Sequence, residues 1–212
     1  MRPPVACRAL GARFHGPRSC PQVALSFDDG PGERTLPLLE ALAELGVRAT
    51  FFLVASRLPG RHDLVHRIVD AGHEVGNHGL YHRDMSQSAR LAARELRTSN
   101  RWLANATGTP PRLFRPPYGA SSAQLVATAW LLGLRTMLWD VDPEDWKGHD
   151  AAALRRTVAR TFQPGSVVLL HDRPGTAGVS DAVPALPGIV ADIRAAGNRL
   201  VTCSELLAGS SP

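Results

Sequence analysis

Two short segments of the sequence carry side chains that could bind a metal ion and activate water. Asp28 and Asp29 stand side by side after an apolar run, and His78 and His82 are four residues apart. Adjacent aspartates point in different directions, so one can bind a cation while the other moves a proton. Histidines at i and i+4 reach one ion if their segment is helical. Taken alone, Asp28 and Asp29 also fit an exposed Asp-Asp-Gly-Pro turn.

Asp29, His78 and His82 together form a set of candidate metal ligands with two histidines and one carboxylate. Such a set leaves coordination positions for water and substrate, which is typical of catalytic zinc or a similar divalent ion. The same donors serve non-haem iron oxygenases, so the ligands alone do not select the reaction. A peptidase is not favoured, because Gly79 stands where a zinc metalloprotease carries a glutamate.

Three later segments supply a cation, a carboxylate and a third histidine. Arg115 is always charged, and if buried near Asp28 it would keep that carboxylate ionised. Asp145 lies next to Trp146, and a carboxylate bonded to one ring nitrogen of His171 would keep that histidine protonated as a general acid. Each residue alone also fits an ordinary role: a surface ion pair, a helix cap and a buried structural histidine.

Alternating elements are predicted to position these residues. Short apolar runs alternate with longer amphipathic stretches, which predicts βα units around a parallel sheet. The predicted strands are residues 23–27, 49–54, 73–76, 113–115, 135–139, 166–171 and 199–202, and the predicted helices are residues 35–45, 64–71, 88–107, 122–132, 151–162 and 183–196. In a barrel of parallel strands the strand ends share one face, where active sites form. The candidate residues follow those ends, so we expect them to converge.

The chain is predicted to form a single domain over residues 21–207, with an irregular lead-in at 1–20 and a frayed tail at 208–212. Its 44% hydrophobic and 20% charged residues are typical of a folded soluble domain. We expect no membrane partner, because no apolar run reaches the roughly 18 residues of a spanning helix. No signal peptide is visible, since arginines interrupt the N-terminal segment where an apolar core would be required.

The positive charge of the chain is carried almost entirely by arginine, and Lys147 is the only lysine. The arginines are scattered, which argues against a nucleic-acid partner but leaves weak attraction to an anionic polymer open. Their densest set has helical spacing and is expected on a solvated face: Arg90, Arg94, Arg97 and Arg101. The three cysteines are too few for a disulfide framework, although one bridge between Cys7 and Cys20 stays open.

Five motifs in this order resemble those of the polysaccharide deacetylases, the carbohydrate esterases that share the NodB homology domain. They are Ser-Phe-Asp-Asp-Gly-Pro, His-x-x-x-His, Arg-Pro-Pro-Tyr-Gly, Asp-x-x-Asp-Trp and Leu-x-His, and the resemblance covers residues 23–207. It implies a distorted (β/α) barrel of about seven parallel strands and metal-dependent hydrolysis of acetyl groups on sugars. The sequence departs from the family at Gly79, where serine or threonine is usual, and this change is expected to loosen the loop.

The resemblance also implies a role for each matching residue. Asp28 resembles the general base, paired with Arg115, and His171 resembles the general acid, oriented by Asp145. The residues that resemble the ligands of a divalent metal, zinc or otherwise cobalt, are Asp29, His78 and His82. The backbone N–H of Tyr118 would stabilise the oxyanion. The expected substrate-contacting residues are Pro116, Tyr118, Trp146 and Leu169.

The expected substrate is an N-acetylated glycan, either a chitin-type oligosaccharide or peptidoglycan. An acetyl-ester hydrolase acting on acetylated xylan stays open, because both reactions share a tetrahedral intermediate. A non-catalytic carbohydrate-binding relative is a third alternative, although the complete set of candidate residues speaks against it. A monomer is expected. The chain as written suggests the cytoplasm, while the family resemblance keeps secretion or the cell envelope open.

Overall fold

A seven-stranded parallel sheet forms the centre of the computed structural model, which describes residues 5–172 and 182–209. The strands are β1 (Gln22–Asp28), β2 (Thr50–Leu53), β3 (Glu74–Asn77), β4 (Leu113–Phe114), β5 (Arg135–Thr136), β6 (Val167–His171) and β7 (Arg199–Val201). Their order is β5-β4-β3-β2-β1-β6, and β7 also pairs with β1. A parallel bridge between Val141 and Val168 brings the segment after β5 against β6, so the sheet curls into an incomplete barrel. The predicted α/β class and parallel barrel are confirmed.

Helices alternate with the strands, as the amphipathic stretches predict. They are α1 (Val5–Ala9), α2 (Thr35–Glu44), α3 (His62–Asp70), α4 (Ala89–Thr107), α5 (Ala123–Leu131), α6 (Ala151–Thr161), α7 (Leu186–Ala195) and α8 (Cys203–Ala208). Short 3-10 turns lie at Ala55–Arg57, Pro117–Gly119, Asp145–Lys147 and Val183–Ala185. No helix among the described residues is both long and apolar enough to cross a bilayer.

Side-chain alternation along β1 separates the helix-facing core from the barrel interior. Val23, Leu25 and Phe27 belong to the large apolar cluster that the helices cover. The intervening Ala24 packs in a second cluster with side chains from other strands of the barrel. Because successive strand residues point to opposite faces, the next interior positions after Ala24 are Ser26 and Asp28. The apolar strand therefore delivers polar groups to the interior as it approaches its carboxyl end.

The strand predicted at residues 135–139 ends three residues earlier than expected, for a physical reason. Residues 137–139 were predicted to continue β5, but the strand ends at Thr136. The carbonyl groups of Met137 and Leu138 accept hydrogen bonds from the side chain of Arg115, and Leu138 N–H bonds to Arg13. The backbone hydrogen-bonding groups of this segment are thus paired with a buried guanidinium and with the chain's N-terminal region. Arg115 itself lies just past the end of β4.

Both ends of the chain contain helices that the sequence pattern did not indicate. The five-residue α1 lies within the lead-in predicted to be irregular, and its Cys7 packs against Ala12 and Val126. The helix α8 begins with a capping box, in which Thr202 and Glu205 bond to each other's backbone. Cys7, Cys20 and Cys203 are free thiols. Residues 1–4 of the lead-in and 210–212 of the predicted tail lie outside the described residues.

Candidate active site

A buried arginine and aspartate form the floor of the candidate site. Arg115 is fully buried, and its Nη1 donates to Asp28 Oδ1 at 2.7 Å and to Ser26 Oγ at 2.9 Å. Its remaining bonds, each 3.1 Å long, go to the carbonyl groups of residues 137–138. The guanidinium also stacks on the Phe52 ring, 4.0 Å from the centroid. A cation held this firmly fixes the carboxylate of Asp28 in one orientation.

Asp29, His78 and His82 converge above this floor. One ligand atom from each lies within 4.8 Å of the other two. Asp29 Oδ1 is 3.1 Å from His82 Nε2 and 3.8 Å from His78 Nε2. The Nδ1 of His78 donates to the carbonyl oxygen of Arg115 at 2.8 Å, and this bond orients the ring so that Nε2 faces Asp29. Asp28 Oδ2 also faces the cluster, 3.6 Å from His78 Nε2.

The chemistry of this cluster fits a divalent cation. Asp29 Oδ1 is buried and has no hydrogen-bond partner among the described residues, a costly arrangement unless a cation compensates it. Burial alone would raise the pKa of Asp29, but His78 and His82 lower it below its ordinary value. Burial lowers the pKa of His82 in turn. An ionised carboxylate and a neutral imidazole are the forms that bind a metal.

The two histidines reach the cluster from a loop, so the helical condition for their i, i+4 spacing is not met. Residues 78–84 contain no helix, and His82 has a left-handed backbone with φ of +55°. Asp29 is also left-handed, with φ of +78°. Its backbone carbonyl accepts a hydrogen bond from Arg57, whose Nη1 lies 3.9 Å from Asp29 Oδ1. Sparsely populated backbone conformations of this kind concentrate where a site requires them.

The loop between the two histidines is anchored by Asn77 rather than by a hydroxyl at position 79. Gly79 has φ of +85°, and its N–H donates to Asn77 Oδ1 at 2.7 Å. Asn77 Nδ2 donates to Ser99 Oγ at 2.8 Å and to Asn100 Oδ1 at 2.7 Å. Ala55 N–H further bonds to the Gly79 carbonyl at 3.0 Å. These bonds hold the loop to β3 and α4, although residue 79 has no side-chain hydroxyl.

Asn77→Ala is therefore expected to weaken both stability and metal binding. The change leaves the Gly79 N–H without its acceptor beside the first candidate ligand, and we expect a loss of about 2–3 kcal/mol in the free energy of unfolding. Denaturant unfolding checks the stability, and a metal titration checks the affinity. A matched control is Asn100→Ala, which removes one partner of Asn77 but leaves the Gly79 bond. Equal metal affinity in the two variants would contradict the anchoring role.

His171 and Asp145 form a second pair on the opposite side of Asp28. The β1–β6 register places His171 directly beside Asp28. Its Nδ1 bonds to Asp145 Oδ1 at 2.6 Å, and its backbone N–H donates to Asp145 Oδ2 at 2.7 Å. Burial alone would lower the pKa of His171, but the hydrogen bond and charge of Asp145 outweigh it and raise that pKa to about 9. The imidazole is thus held protonated with Nε2 available as a proton donor.

Asp145→Asn is expected to move the alkaline limb of the pH–kcat profile to lower pH. Asparagine keeps an oxygen for His171 Nδ1 but removes the charge that raises its pKa, so the imidazole loses its proton earlier as pH rises. A nearby opposite charge contributes about 1–3 pH units, and we expect a shift of that order. The initial rate of acetate release between pH 6 and pH 10 measures it. An alkaline limb that stays in place would contradict the role of His171 as the acid.

The predicted substrate-contacting residues divide into exposed and buried pairs. Tyr118 is 68% exposed, with φ of +61°, and its ring meets the His82 ring edge-on at 4.5 Å. Trp146 is 42% exposed beside Asp145. Leu169 and Pro116 are buried. Leu169 lies two residues before His171, on the same face of β6. The structure thus offers two exposed aromatic rings, one against His82 and one next to Asp145 in the chain, and contact with substrate stays a prediction for all four residues.

Comparison with known proteins identifies the family. A family model described as polysaccharide deacetylase matches residues 15–137. The chain belongs to the polysaccharide deacetylase family. A peptidoglycan-N-acetylglucosamine deacetylase of Bacillus cereus is 33% identical over 91% of this chain and 70% of its own length. A chitooligosaccharide deacetylase of Sinorhizobium fredii is 39% identical over 74% of this chain and 75% of its own length.

A solved structure agrees with this family membership. The Bc1960 peptidoglycan N-acetylglucosamine deacetylase, solved with an N-hydroxybenzamide compound, superposes with a TM-score of 0.92. It is 31% identical, and the match covers 99% of both chains. This polysaccharide deacetylase therefore shares the complete fold of a structurally characterised relative, and the resemblance inferred from five sequence motifs is confirmed.

Several residues around the site of this polysaccharide deacetylase were not singled out from sequence. Ser26 could have been found, because it lies two residues before Asp28 on the same strand face. Arg57 contacts Asp29 from a 3-10 turn whose sequence contains no recognisable motif. Trp139 lies 5.5 Å from the Arg115 guanidinium and packs under the turn at Gly119. Only the folded chain brings these last two side chains to the site.

Asp172 is a further buried acid beside the site that the motifs did not indicate. It is fully buried, and Thr35 donates to its Oδ2 at 2.6 Å. Burial raises the pKa of Asp172 to about 7, and the charge of Asp29 acts in the same direction. Its backbone N–H donates to the Asp28 carbonyl at 2.8 Å, so this residue braces the end of β1.

Proposed function

We propose that this chain is a divalent-metal-dependent hydrolase that removes acetyl groups from N-acetylglucosamine residues of a glycan and releases acetate. The observation that carries the proposal is the convergence of Asp29, His78 and His82 within 4.8 Å, with Asp28 beside the cluster and His171 next to Asp28 across the β1–β6 pair. Zinc is the proposed ion, because two imidazoles and one carboxylate suit it and leave positions open. The names of the relatives support peptidoglycan or chitin-type oligosaccharide as the substrate class.

Asp28 is proposed to accept the proton of the attacking water. A divalent ion bound to the three ligands would polarise the acetyl carbonyl and make a water more acidic. Asp28 Oδ2 faces the ligand cluster, while Oδ1 is occupied by Arg115. The free oxygen can therefore take the proton as the water oxygen attacks the carbonyl carbon and a tetrahedral intermediate forms.

His171 is proposed to donate the proton that lets the sugar nitrogen leave. The carbon–nitrogen bond breaks more readily when its nitrogen is protonated, because an amine is a far better leaving group than its anion. Asp145 keeps the imidazole charged and fixes its ring, so the proton sits on Nε2 before the bond breaks. The products are acetate and a free amine on the sugar.

Tyr118 and its neighbours are proposed to bind the acetyl group. The backbone N–H of Tyr118 is assigned to stabilise the negative oxygen of the intermediate. Tyr118 has a left-handed backbone within the rigid Pro-Pro-Tyr-Gly segment, which sets the direction of the adjoining peptide groups. The N–H of the following residue, Gly119, donates to the carbonyl oxygen of Pro116 at 3.0 Å. Leu169 and Trp146 are assigned to the apolar wall around the methyl group.

The proposal is tested by acetate release from chitotetraose, soluble peptidoglycan fragments and acetylated xylan oligosaccharides, using zinc-loaded protein. The expected result is release from the N-acetylated glycans at a higher kcat/KM than from the xylan ester. Faster turnover of xylan would replace the amide assignment with an ester one. Glycan binding without any acetate release, with metal demonstrably bound, would identify a non-catalytic relative.

A further inference from the structure

A row of exposed arginines runs along α4 and plays no part in the proposed reaction. Its members are Arg90, Arg94, Arg97 and Arg101, and all four are exposed, as their spacing predicts. They follow one another three or four residues apart, so their side chains lie on one face of the helix. At 1.5 Å per residue, the row extends for about 16 Å. We call it the α4 arginine row.

None of the four guanidinium groups has a hydrogen-bond or ion-pair partner among the residues that the structure describes. Two exposed arginines on other elements are paired: Arg155 bonds to Asp192 at 2.7 and 2.8 Å, and Arg48 bonds to Glu205 at 2.6 Å. Like charges three or four residues apart destabilise a helix. The α4 arginine row therefore keeps an uncompensated positive field that an anionic ligand would relieve.

The row continues to the edge of the candidate active site. Two adjoining depressions share Arg94 and Thr98 on their walls, and they have cavity volumes of about 210 and 450 Å³. The smaller one also contacts Tyr81 and Arg83, and Arg83 directly follows the candidate ligand His82 in the chain. The Arg83 guanidinium lies over the Tyr81 ring, 4.9 Å from its centroid. The depressions thus connect the rim of the site with the outer face of α4, and the smaller one also contains Glu95, whose Oε1 lies 3.8 Å from Arg83 Nη1.

We propose that the α4 arginine row binds the carboxylates of peptide stems on an anionic glycan substrate while an N-acetyl group of the same polymer occupies the active site. The inference rests on the proposed function and narrows its substrate class to peptidoglycan. Guanidinium groups bind carboxylates through paired hydrogen bonds, and peptide stems present such carboxylates at a distance from the sugar being hydrolysed. A chitin-type oligosaccharide is uncharged and makes no use of the row.

The test compares wild-type protein with the double variant Arg94→Gln, Arg97→Gln. Glutamine retains good helix propensity and removes repulsion, so the variant is expected to fold normally. The substrates are soluble peptidoglycan fragments with intact stems, the same fragments with their carboxylates converted to amides, and neutral chitotetraose. For intact stems we expect kcat/KM to fall about five- to tenfold through KM, the effect of two exposed charge pairs. Chitotetraose and amidated fragments should be unaffected.

The matched control is Arg156→Gln, Arg160→Gln on α6, which makes the same change of charge at two other exposed arginines. It is expected to leave all three kcat/KM values unchanged, and 0.5 M salt is expected to erase the wild-type preference for intact stems. Equal turnover of intact and amidated fragments by wild type would overturn the inference, and so would an equal loss in the control variant.

A binding measurement separates this inference from the proposed function. If no substrate releases acetate, the proposed function fails, and equilibrium titration of the intact and amidated fragments then decides the inference alone. Tighter binding of intact stems that is lost in the α4 variant would support the row as a carboxylate site. Equal binding of the two fragments would overturn it.

Discussion

Asp28→Asn is expected to lower kcat for acetate release by about 10²–10⁴-fold while metal binding persists, because a general base contributes a factor of that size. Asparagine keeps the shape of the side chain and an oxygen for Arg115, but it cannot take a proton from water. The three candidate ligands are untouched by the change. Steady-state kinetics with a parallel measurement of bound metal gives both quantities for one preparation.

The control for Asp28→Asn must separate the lost base from the disturbed environment of Arg115. Removal of the charge leaves a buried guanidinium without its counterion, which lowers stability. Ser26→Ala removes another hydrogen bond of the same guanidinium but no base. We expect Ser26→Ala to lower stability by about 1 kcal/mol and to change kcat by far less than the base variant. Near-normal turnover of Asp28→Asn would refute the assignment of Asp28 as base.

His78→Ala is expected to abolish both metal binding and turnover. The substitution removes Nε2 together with the imidazole ring, whose Nδ1 is held by the Arg115 carbonyl. Only Asp29 and His82 then remain to hold an ion. Outer contacts of metal ligands alone contribute about 10–100-fold to affinity, so loss of a ligand is expected to exceed 100-fold. Calorimetric titration with zinc, together with acetate release, measures the two losses.

Thermal unfolding distinguishes loss of the metal from loss of the fold in His78→Ala. A ligand at 100 times its Kd stabilises the folded state by about 2.7 kcal/mol, which appears as a rise in Tm of wild-type protein on addition of zinc. The variant is expected to unfold cooperatively without that rise. His73→Ala is the matched control, since His73 is a buried histidine whose Nδ1 accepts a hydrogen bond from Ala49 N–H at 3.0 Å, away from the candidate ligands. A zinc-induced rise in Tm that survives in His78→Ala would count against this ligand set.

The convergence of the candidate residues could be predicted from sequence because parallel strands share an edge. Asp28, Arg115 and His171 each stand at or just past the carboxyl end of an apolar strand, and the side chains at such ends meet on one face. The alternation along β1 even determines which side of the strand Asp28 occupies. Sequence periodicity indicates the face of the strand on which each side chain lies, and the parallel order of the strands brings their carboxyl ends together.

Other features depend on contacts that no local pattern records. His78 and His82 converge from a loop and not from a helix, because the segment is shaped by a glycine with positive φ and anchored to Asn77. Arg57 reaches Asp29 only after two βα loops have folded against each other. The early end of β5 follows from hydrogen bonds between its backbone and the buried Arg115. In each case a long-range partner overrides the local preference.

The most direct test of the account is acetate release from N-acetylglucosamine oligomers by protein stripped of metal with a chelator, before and after zinc or cobalt is restored. The account predicts no release from the stripped protein and recovery of turnover as metal binds with a stoichiometry of one. Full activity in the stripped protein, or silence towards all N-acetylated glycans with one metal ion bound, would contradict a metal-dependent deacetylase built on Asp29, His78 and His82.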